Sequence, residues 1–219
     1  MAYKKSTETR ERILEATARL FAERGYYETG IGDIAREAGI GRASFYYHFD
    51  DKEKAARAVF DSYVERIFSA AEKAAPAGTP VGTEPHMLCI FVEYLLLFKY
   101  IALNEATHAV YYDLVNFADY DTANMERLKH TTFKDTRSVA AAYGRPMSED
   151  QLVAFIVSTN ALAKSLFKAI LNGTLGFGLP EAADYFFSHA ILPDIPIPQD
   201  RYQALLEKAL ELCDKIELD

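Results

Sequence analysis

The sequence predicts an all-α protein, with a three-helix module at the N-terminus and a larger helical domain behind it. Apolar residues recur at helical spacing along the 219 residues, and no alternating strand pattern persists. Glycine and proline divide this pattern into segments of helix length. Half of the residues are hydrophobic, which is ample material for a buried core.

The first helix is predicted to begin near Ser6 or Thr7, either of which could cap it, and to end at Gly25. Its apolar residues recur at helical spacing and form a stripe of the kind that faces a core. The stripe consists of Ile13, Ala16, Thr17, Leu20 and Phe21.

Two short helices follow, joined by the turn Ala38-Gly39-Ile40-Gly41. Gly39 supplies the tight turn, and the second of the two helices opens at Gly41 and ends near Phe49. These are the dimensions of a helix-turn-helix, in which the second helix lies in the major groove of DNA. The residues that could form the small core between them are Ile34, Ala35, Ile40 and Phe45.

The outward side of that third helix carries donors and small residues suited to phosphates and base edges. They are Arg42, Ala43, Ser44, Tyr46, Tyr47 and His48. By itself this pattern is also typical of a plain helical corner, so the third helix alone leaves both readings open.

A fourth helix is predicted over Lys52–Ala75, with Asp50 and Asp51 at its start, where acidic side chains suit the helix dipole. The stretch Ala75–Pro85 is rich in proline and glycine and marks the best domain boundary. We therefore expect a module at 1–50, a connecting helix at 51–75 and a second domain at 76–219. Its predicted helices are Pro85–Leu103, Asn104–Phe117, Thr122–Tyr143, Ser148–Asn172, Pro180–Leu192 and Pro198–Leu218.

The formal net charge of −8 looks unfavourable for contact with nucleic acid until it is counted by region. The first fifty residues hold eight Lys or Arg and eight Asp or Glu, so all of the excess lies downstream. A neutral module on an acidic body permits DNA binding through a few placed cations, while phosphate repels the body.

Cys89 and Cys213 are far apart and form no CxxC motif, so the sequence predicts reduced thiols in the cytoplasm rather than a disulfide framework or a zinc finger. The charged N-terminus has no apolar run of the signal-peptide kind. The most apolar stretch, Met87–Leu103, is interrupted by Glu93 and Lys99 and is short for a bilayer. We expect a core helix there and no membrane association.

Four strings of the first sixty residues closely resemble the N-terminal module of the tetracycline-repressor (TetR) family. The resemblance runs from about Thr7 to Phe60, whereas Asp61–Asp219 matches the family only in helical layout. The strings are Phe21-Ala-Glu-Arg-Gly-Tyr-Tyr-Glu-Thr29, Asp33-Ile-Ala-Arg-Glu-Ala-Gly-Ile40, Arg42-Ala-Ser-Phe-Tyr-Tyr-His-Phe49 and Lys52-Glu53.

The resemblance implies a role for each matching position. Thr29 and Lys52 would lie at phosphates. Phe45 and Phe49 would be core. Arg42, Ser44 and Tyr47 would lie near bases or backbone, and Tyr46 and His48 at the backbone. For His48 a solvated or core histidine is the alternative.

Two glycines depart from the usual pattern, since Gly30 and Gly41 stand where the family commonly has Ser or Thr. Both can occupy helix N-cap positions, but they lack a hydroxyl that could bond an N–H group or a phosphate. We expect the helical register to survive and some phosphate affinity to be lost.

A module of this kind works as a two-fold dimer on palindromic half-sites, so the second domain should supply the dimer contact. The predicted helix Ser148–Asn172 is our first choice, joined by Pro180–Leu192 or by Tyr202–Ile216. The alternative is that its stripe is ordinary intrachain core. That stripe consists of Val153, Ile156, Val157, Ala161, Leu162, Leu166, Ala169 and Ile170.

The region from Pro85 to Tyr143 is dense in aromatic residues, and the resemblance places the inducer pocket there. Core packing explains any one aromatic residue, but together with a few polar side chains they could line a pocket for a planar or acyl, mostly apolar effector. The residues expected to line it are Phe91, Tyr94, Phe98, His108, Tyr111, Tyr112, Phe117 and Phe133. No cofactor is predicted.

A metal site is the sharper alternative in the same region. Glu105 and His108 have the i, i+3 spacing of carboxylate-bridged di-metal bundles, although only one such pair is present. Glu126, His130 and Glu93 could add ligands. A metal-sensing regulator or a helical metal-dependent oxidase would follow, whereas surface ion pairs explain the same residues more simply.

The resemblance implies a non-enzymatic regulator, more often a repressor than an activator, whose two reading modules respond to an effector. The fourth helix would act as the lever, since it starts at the module and ends at the second domain. Binding would shift the equilibrium between states only as far as the effector's affinities for them differ. An adaptor that has lost DNA binding is the remaining alternative, and only the two glycines hint at it.

Overall fold

The computed structural model describes residues 2–73, 79–80, 82–103 and 136–218, with side chains from Ser6 onward. Every regular element in those ranges is a helix, as predicted. The chain divides into two compact units, and the division falls between Glu65 and Arg66, inside the fourth helix. The predicted boundary at Ala75–Pro85 lies about ten residues later, because the end of that helix is already part of the second unit.

The first unit contains α1 (Ala2–Arg24), α2 (Ile31–Glu37), α3 (Arg42–His48) and the start of α4 (Lys52–Glu72). The predicted helix-turn-helix order is confirmed. The expected caps Ser6 and Thr7 are wrong, because α1 begins at Ala2 and already runs through both residues. Residues 2–5 include neither glycine nor proline, so nothing in them stops a helix.

The core of the first unit forms where α1, α2 and α3 meet. Phe45 of α3 is fully buried, and its ring lies 5.9 Å from that of Phe49. Both residues are core, as predicted, whereas Ile40 is only half-buried. The other apolar side chains buried here are Ile13, Ala16, Leu20, Phe21, Ile34, Ala35 and Ala38. The small size of the alanines allows the short helices to approach closely.

The second unit contains five helices in the described ranges, two of which end in a single turn of π-helix. They are α5 (Glu84–Leu97, with π turn Phe98–Ala102), α6 (136–142), α7 (Glu149–Leu171), α8 (Leu179–Phe186, with π turn Phe187–Ile191) and α9 (Gln199–Lys215). Four of the predicted segments match these helices within about three residues. The predicted helix Asn104–Phe117 and most of Thr122–Tyr143 lie outside the described residues.

Local signals explain several helix ends. Ser148 caps α7: its hydroxyl accepts a 3.3 Å bond from the Gln151 N–H, and the Gln151 side chain accepts a 2.8 Å bond from the Ser148 N–H. Gly82, just before α5, has a φ of +83°, and an added Cβ would lie 2.7 Å from the Cβ of Ala142 on α6. Both the backbone conformation and the space at Gly82 therefore require glycine.

An aromatic cluster forms the centre of the second unit. Phe91 of α5 stacks on Phe187 with ring centroids 4.0 Å apart, and Tyr94 lies 4.6 Å from Phe186. Tyr202 of α9 is buried beside this cluster and donates a 2.6 Å hydrogen bond to the Asp184 carboxylate. The aromatic side chains thus join α5, α8 and α9 into one core.

The C-terminal end of α9 is held by the π turn after α5. The Lys99 ammonium donates hydrogen bonds of 2.8 Å and 3.1 Å to the carbonyl oxygens of Cys213 and Ile216. The Tyr100 hydroxyl donates to the Ile216 oxygen and accepts from the Leu218 N–H. A cation at the last carbonyls of a helix also suits the helix dipole.

Two helical stretches, Glu84–Ala102 and Glu149–Leu171, are long and apolar enough to cross a membrane by length and composition. The first corresponds to the expected core helix, and its buried residues include Phe91 and Leu95. Burial of apolar side chains against other helices is the property of a core element, and core helices often pass such a test.

Both cysteines are protected by burial. Burial, followed by the charges of Glu93 and Glu72, raises the pKa of the Cys89 thiol from 9.0 to about 11. Burial also raises the pKa of Cys213 to about 11, against the opposing effect of Lys99. The Cys89 thiol donates a 3.3 Å hydrogen bond to the Ala71 oxygen.

Thermal stability should therefore fall as the pH rises from about 9 towards about 11. Below pH 9 both states keep their thiol protons, whereas above it the unfolded state loses them first, which favours unfolding. The pKa values of Tyr94 and Tyr202, raised mainly by burial, act in the same direction. Unfolding temperatures measured between about pH 7 and about pH 10.5 test this. Replacing both cysteines by alanine should make the fall shallower, and an unchanged slope would contradict the assignment.

Candidate DNA-binding surface

The turn between α2 and α3 is fixed by one glycine and one arginine. Gly39 has a φ of +65°, in the left-handed region where a side chain is strained. Arg12 of α1 donates hydrogen bonds to the carbonyl oxygens of Ala38 and Gly39, the latter at 3.1 Å. The guanidinium thus holds the C-terminal end of α2 and sets the direction in which α3 starts.

Glycines cap both short helices. Gly30 and Gly41 occupy the N-cap positions of α2 and α3, which confirms that the two departures from the family pattern preserve the helical register. The Gly30 N–H donates a 3.2 Å bond to the Asp33 carboxylate, and Asp33 also pairs with Arg36. The Asp33 carboxylate thus makes its own half of a capping box, and the half that a hydroxyl at position 30 would make is missing.

The side chains of α3 divide cleanly between inside and outside. Phe45 points into the core, whereas Tyr46 and Tyr47 are 50% and 81% exposed. Arg42 and Ala43 are exposed as well, and Ser44 and His48 are half-buried. The six residues expected to read DNA thus share the accessible part of one helix.

Ring contacts connect the aromatic side chains of α3. The Tyr47 and His48 rings contact each other edge to face, with centroids 5.1 Å apart, and Tyr46 lies edge-on to the buried Phe45 ring at 5.8 Å. The Arg42 side chain passes over Gly32 of α2, 3.8 Å from where a Cβ would lie. Aromatic rings held at defined angles lose little entropy when they contact a partner.

Thr29 does not reach the surface. It is 1% exposed, and its hydroxyl donates hydrogen bonds to the carbonyl oxygens of Gly25, at 2.8 Å, and Leu20, at 3.3 Å. The phosphate contact predicted for the Thr29 side chain is therefore wrong, because a buried hydroxyl bonded to the end of α1 cannot also contact a phosphate. Thr29 instead closes the turn between α1 and α2.

Lys52 is likewise engaged within the protein. Its ammonium donates bonds of 2.7 Å and 2.9 Å to the carbonyl oxygens of Tyr26 and Thr29, and lies 4.0 Å from the centre of the Tyr26 ring. The two carbonyl bonds use two of the three N–H groups of the ammonium, and the phosphate contact implied for Lys52 stays a prediction. Lys52 ties the first turn of α4 to the loop between α1 and α2.

Replacing Lys52 by methionine should destabilise the first unit by roughly 1 to 3 kcal/mol, since charge-assisted hydrogen bonds are lost. Lys54→Met is the matched control, because Lys54 is exposed on the same helix. Chemical denaturation measures both changes. If Lys52 contacted a phosphate directly, its loss would also lower the salt dependence of DNA binding by about one ion. A lowered slope would confirm the phosphate contact implied for Lys52, whereas an unchanged slope would contradict it.

Tyr27 is an accessible residue of this unit that the sequence analysis missed. Its side chain is 73% exposed, and its ring packs edge-on against Tyr26 at 5.3 Å, beside the Lys52 ammonium. Its position in a loop between two helices was the available signal, since exposed aromatic residues in loops are common in binding surfaces.

The residues expected to line an effector pocket fall into two groups. Phe91 and Phe98 are fully buried and Tyr94 is half-buried, all within the aromatic cluster, so core packing accounts for them in this structure. The other five lie outside the described residues: His108, Tyr111, Tyr112, Phe117 and Phe133.

Most of the candidate metal ligands cannot be placed in the fold. Glu105, His108, Glu126 and His130 all lie outside the described residues. Glu93 is half-buried, and its charge raises the pKa of both Cys89 and Tyr94. Within the described ranges no group of three or more metal-binding side chains is gathered.

The N-terminal unit matches a known family. The family described as "Bacterial regulatory proteins, tetR family" matches residues 13–59, which span the second half of α1, all of α2 and α3, and the start of α4. Residues 13–59 are therefore similar to the DNA-binding module of the TetR family. Within the matched residues, Arg42, Tyr46 and Tyr47 are exposed, whereas Phe45 of α3 and Phe49 just after it are buried.

Curated relatives share mainly this part of the chain. The HTH-type transcriptional regulator TtgR of Pseudomonas putida is 34% identical over 104 residues, which are 46% of this chain and 50% of that protein. The HTH-type transcriptional regulator AcrR of Shigella flexneri is 47% identical over 45 residues, 20% of this chain and 21% of that one. The chain thus spans about half the length of these relatives, or less.

Solved structures extend the likeness in fold to most of the chain. RolR in complex with resorcinol has a TM-score of 0.65 at 18% identity, covering 99% of this chain and 100% of that one. NalD, the secondary repressor of the MexAB-OprM multidrug efflux pump in Pseudomonas aeruginosa, has a TM-score of 0.55 at 18% identity, covering 88% and 98%. The SmeT–triclosan complex has a TM-score of 0.56 at 16% identity, covering 87% and 95%.

Proposed function

We propose that this chain is a dimeric, DNA-binding transcriptional repressor that a small, mostly apolar ligand releases from a palindromic operator. The observation that carries the proposal is the division of α3, which locks Phe45 into the core and presents Arg42, Tyr46 and Tyr47 to solvent within the segment that matches the TetR family. A helix held from one side and open on the other is what entry into a major groove requires.

The dimer contact is assigned to α7. Of its apolar stripe, Ile156 and Leu166 are buried within the chain, whereas Val157 is 48% exposed and Ala161 is exposed. The core alternative thus accounts for the inner half of the stripe. The outer half remains an apolar surface with small residues, which suits close packing against the same helix of a second copy.

The effector is assigned to the second unit. The aromatic cluster around Phe98 and Phe186 supplies apolar surroundings of the kind that bind planar molecules. Two structures with the same fold are complexes with resorcinol and triclosan, which supports a small aromatic ligand here. A regulator of bacterial DNA works in the cytoplasm, where the two cysteines would stay reduced.

Selection of bound duplexes from a random DNA pool, repeated at several salt concentrations, tests the core of this proposal. We expect a palindrome with half-sites about one helical turn apart, and binding that weakens steeply with salt. Recovery of a single, non-repeated site would contradict the dimer. Failure to enrich any sequence with metal-free and metal-loaded protein alike would refute the DNA-binding role.

The molecular mass of the protein in solution tests the dimer separately. Val157→Glu places a charge on the outer face of α7 and should convert the protein to monomers, because an unpaired charge is costly in an apolar interface. Lys54→Glu is the control, since it places the same carboxylate at an exposed position on α4 rather than on α7. Monomers of the control variant, or dimers of Val157→Glu, would move the interface elsewhere.

A further inference from the structure

Among the described residues of the second unit, the hydroxyl of Thr159 is buried without a hydrogen-bond partner. Thr159 lies near the middle of α7 and is 2% exposed, and its Oγ1 has no partner among the described residues. Buried polar groups in folded proteins are almost always paired, because an unpaired one loses its bonds to water without replacement. The hydroxyl of Thr159 therefore requires an explanation.

The helix itself does not satisfy this hydroxyl. A threonine inside a helix commonly donates to the carbonyl four residues earlier, as Thr17 of α1 does, with a 2.7 Å bond to the Ile13 oxygen. For Thr159 the corresponding acceptor is the Phe155 oxygen. That oxygen already accepts a 3.0 Å bond from the Ser158 hydroxyl, in addition to its helical N–H partner.

The buried face of α7 that carries Thr159 is otherwise apolar and partly aromatic. The inner face of α7, which carries Thr159, also buries Phe155 and Phe167, and it packs against the π turns that follow α5 and α8. Phe98 in the first of these turns lies 4.8 Å from Phe167 and 5.7 Å from Phe186. Each π turn continues its α-helix without a break, and single π turns within helices are frequent at functional sites.

We propose that the Thr159 hydroxyl is the hydrogen-bonding anchor of the effector site, and that the effector is an aromatic molecule bearing a hydroxyl group. A hydroxyl can accept from the ligand's O–H and donate to its oxygen, so one side chain satisfies both functions of a phenol. The aromatic side chains around α7 receive the ring. This inference rests on the proposed function, since it names the chemistry of the ligand that releases the DNA.

The ligand-free protein provides the first test. Thr159→Val removes the unpaired hydroxyl at constant shape, and the unfolding temperature should rise by roughly 2 to 4 °C. Thr17→Val is the matched control: it removes a buried hydroxyl that has a partner, so the unfolding temperature should fall. A lower unfolding temperature for Thr159→Val would show that the chain already satisfies the hydroxyl and would overturn the inference.

Binding of a matched pair of probes provides the second test. p-Cresol and p-xylene have similar size and shape but differ in a hydroxyl, and calorimetry with the full dimeric protein measures both. We expect Thr159→Val to weaken p-cresol binding roughly three- to tenfold, to leave p-xylene binding unchanged, and Thr159→Ser to restore p-cresol binding.

Two results of the probe experiment would overturn the inference: no binding of p-cresol to the wild-type protein, or equal binding of p-cresol to wild type and Thr159→Val. Neither result touches the DNA-binding role, which the selection of duplexes tests separately. Conversely, a protein that binds p-cresol through Thr159 but enriches no DNA would retain the ligand site and lose the regulatory function.

Discussion

Replacing Tyr47 and His48 together by alanine is expected to abolish sequence-specific DNA binding while the helical content and the oligomeric state stay unchanged. Tyr47 is 81% exposed, and its ring contacts mainly its neighbour His48, so its removal costs little packing. Side chains that contact base edges or adjacent backbone contribute about 1 to 3 kcal/mol each. Two such losses lower the affinity by roughly 30-fold to 10⁴-fold.

Titration of the selected operator with each variant measures this effect, and circular dichroism reports the fold. Tyr47→Phe keeps the ring and removes the hydroxyl, so it separates stacking from hydrogen bonding. Lys208→Ala, an exposed cation on α9, is the control for a loss at a remote surface. If the double variant binds its operator as tightly as wild type, α3 does not read DNA through this face.

Replacing Phe45 by alanine is expected to unfold the first unit. Phe45 is fully buried between α1, α2 and α3, and removing such a ring from a core costs about 3 to 5 kcal/mol. That is a large share of the roughly 5 to 15 kcal/mol that keeps a whole protein folded. DNA binding should disappear with the structure of the module.

Tyr46→Ala is the matched control for Phe45→Ala, because it removes the neighbouring ring from the same helix at a position that is 50% exposed. Its effect on stability should stay within about 1 kcal/mol. Limited proteolysis followed over time locates the opened part of the chain, and protection of the first unit in Phe45→Ala would contradict the assigned core.

The sequence predicted the helix-turn-helix well because its signals are local. Gly39 predicts a left-handed turn between the two short helices, because glycine adopts a positive φ without strain, and the structure shows that turn. Phe45 and Phe49 have i, i+4 spacing, so helical periodicity alone places both on the buried face and their polar neighbours on the exposed one. The same pattern also fits an ordinary helical corner, and the family resemblance favoured a DNA-binding helix-turn-helix instead.

The remaining differences depend on contacts between distant residues. Whether the Lys52 ammonium bonds a carbonyl depends on where the loop after α1 lies, and that loop is 23 to 26 residues away in sequence. The stripe of α7 predicted one apolar face, but periodicity does not show which neighbours cover Ile156 and leave Val157 exposed. The π turns at Phe98 and Phe187 also follow from packing rather than from propensity.

The bonds of Lys52 have a mechanical consequence. One ammonium group joins the start of α4 to both Tyr26 and Thr29, and Arg12 joins α1 to the turn before α3. Any displacement of the first turn of α4 must therefore carry the neighbouring loop and the reading helix along with it. The module would shift as a single block, so a small rotation at α4 would change the orientation of every DNA-facing side chain together.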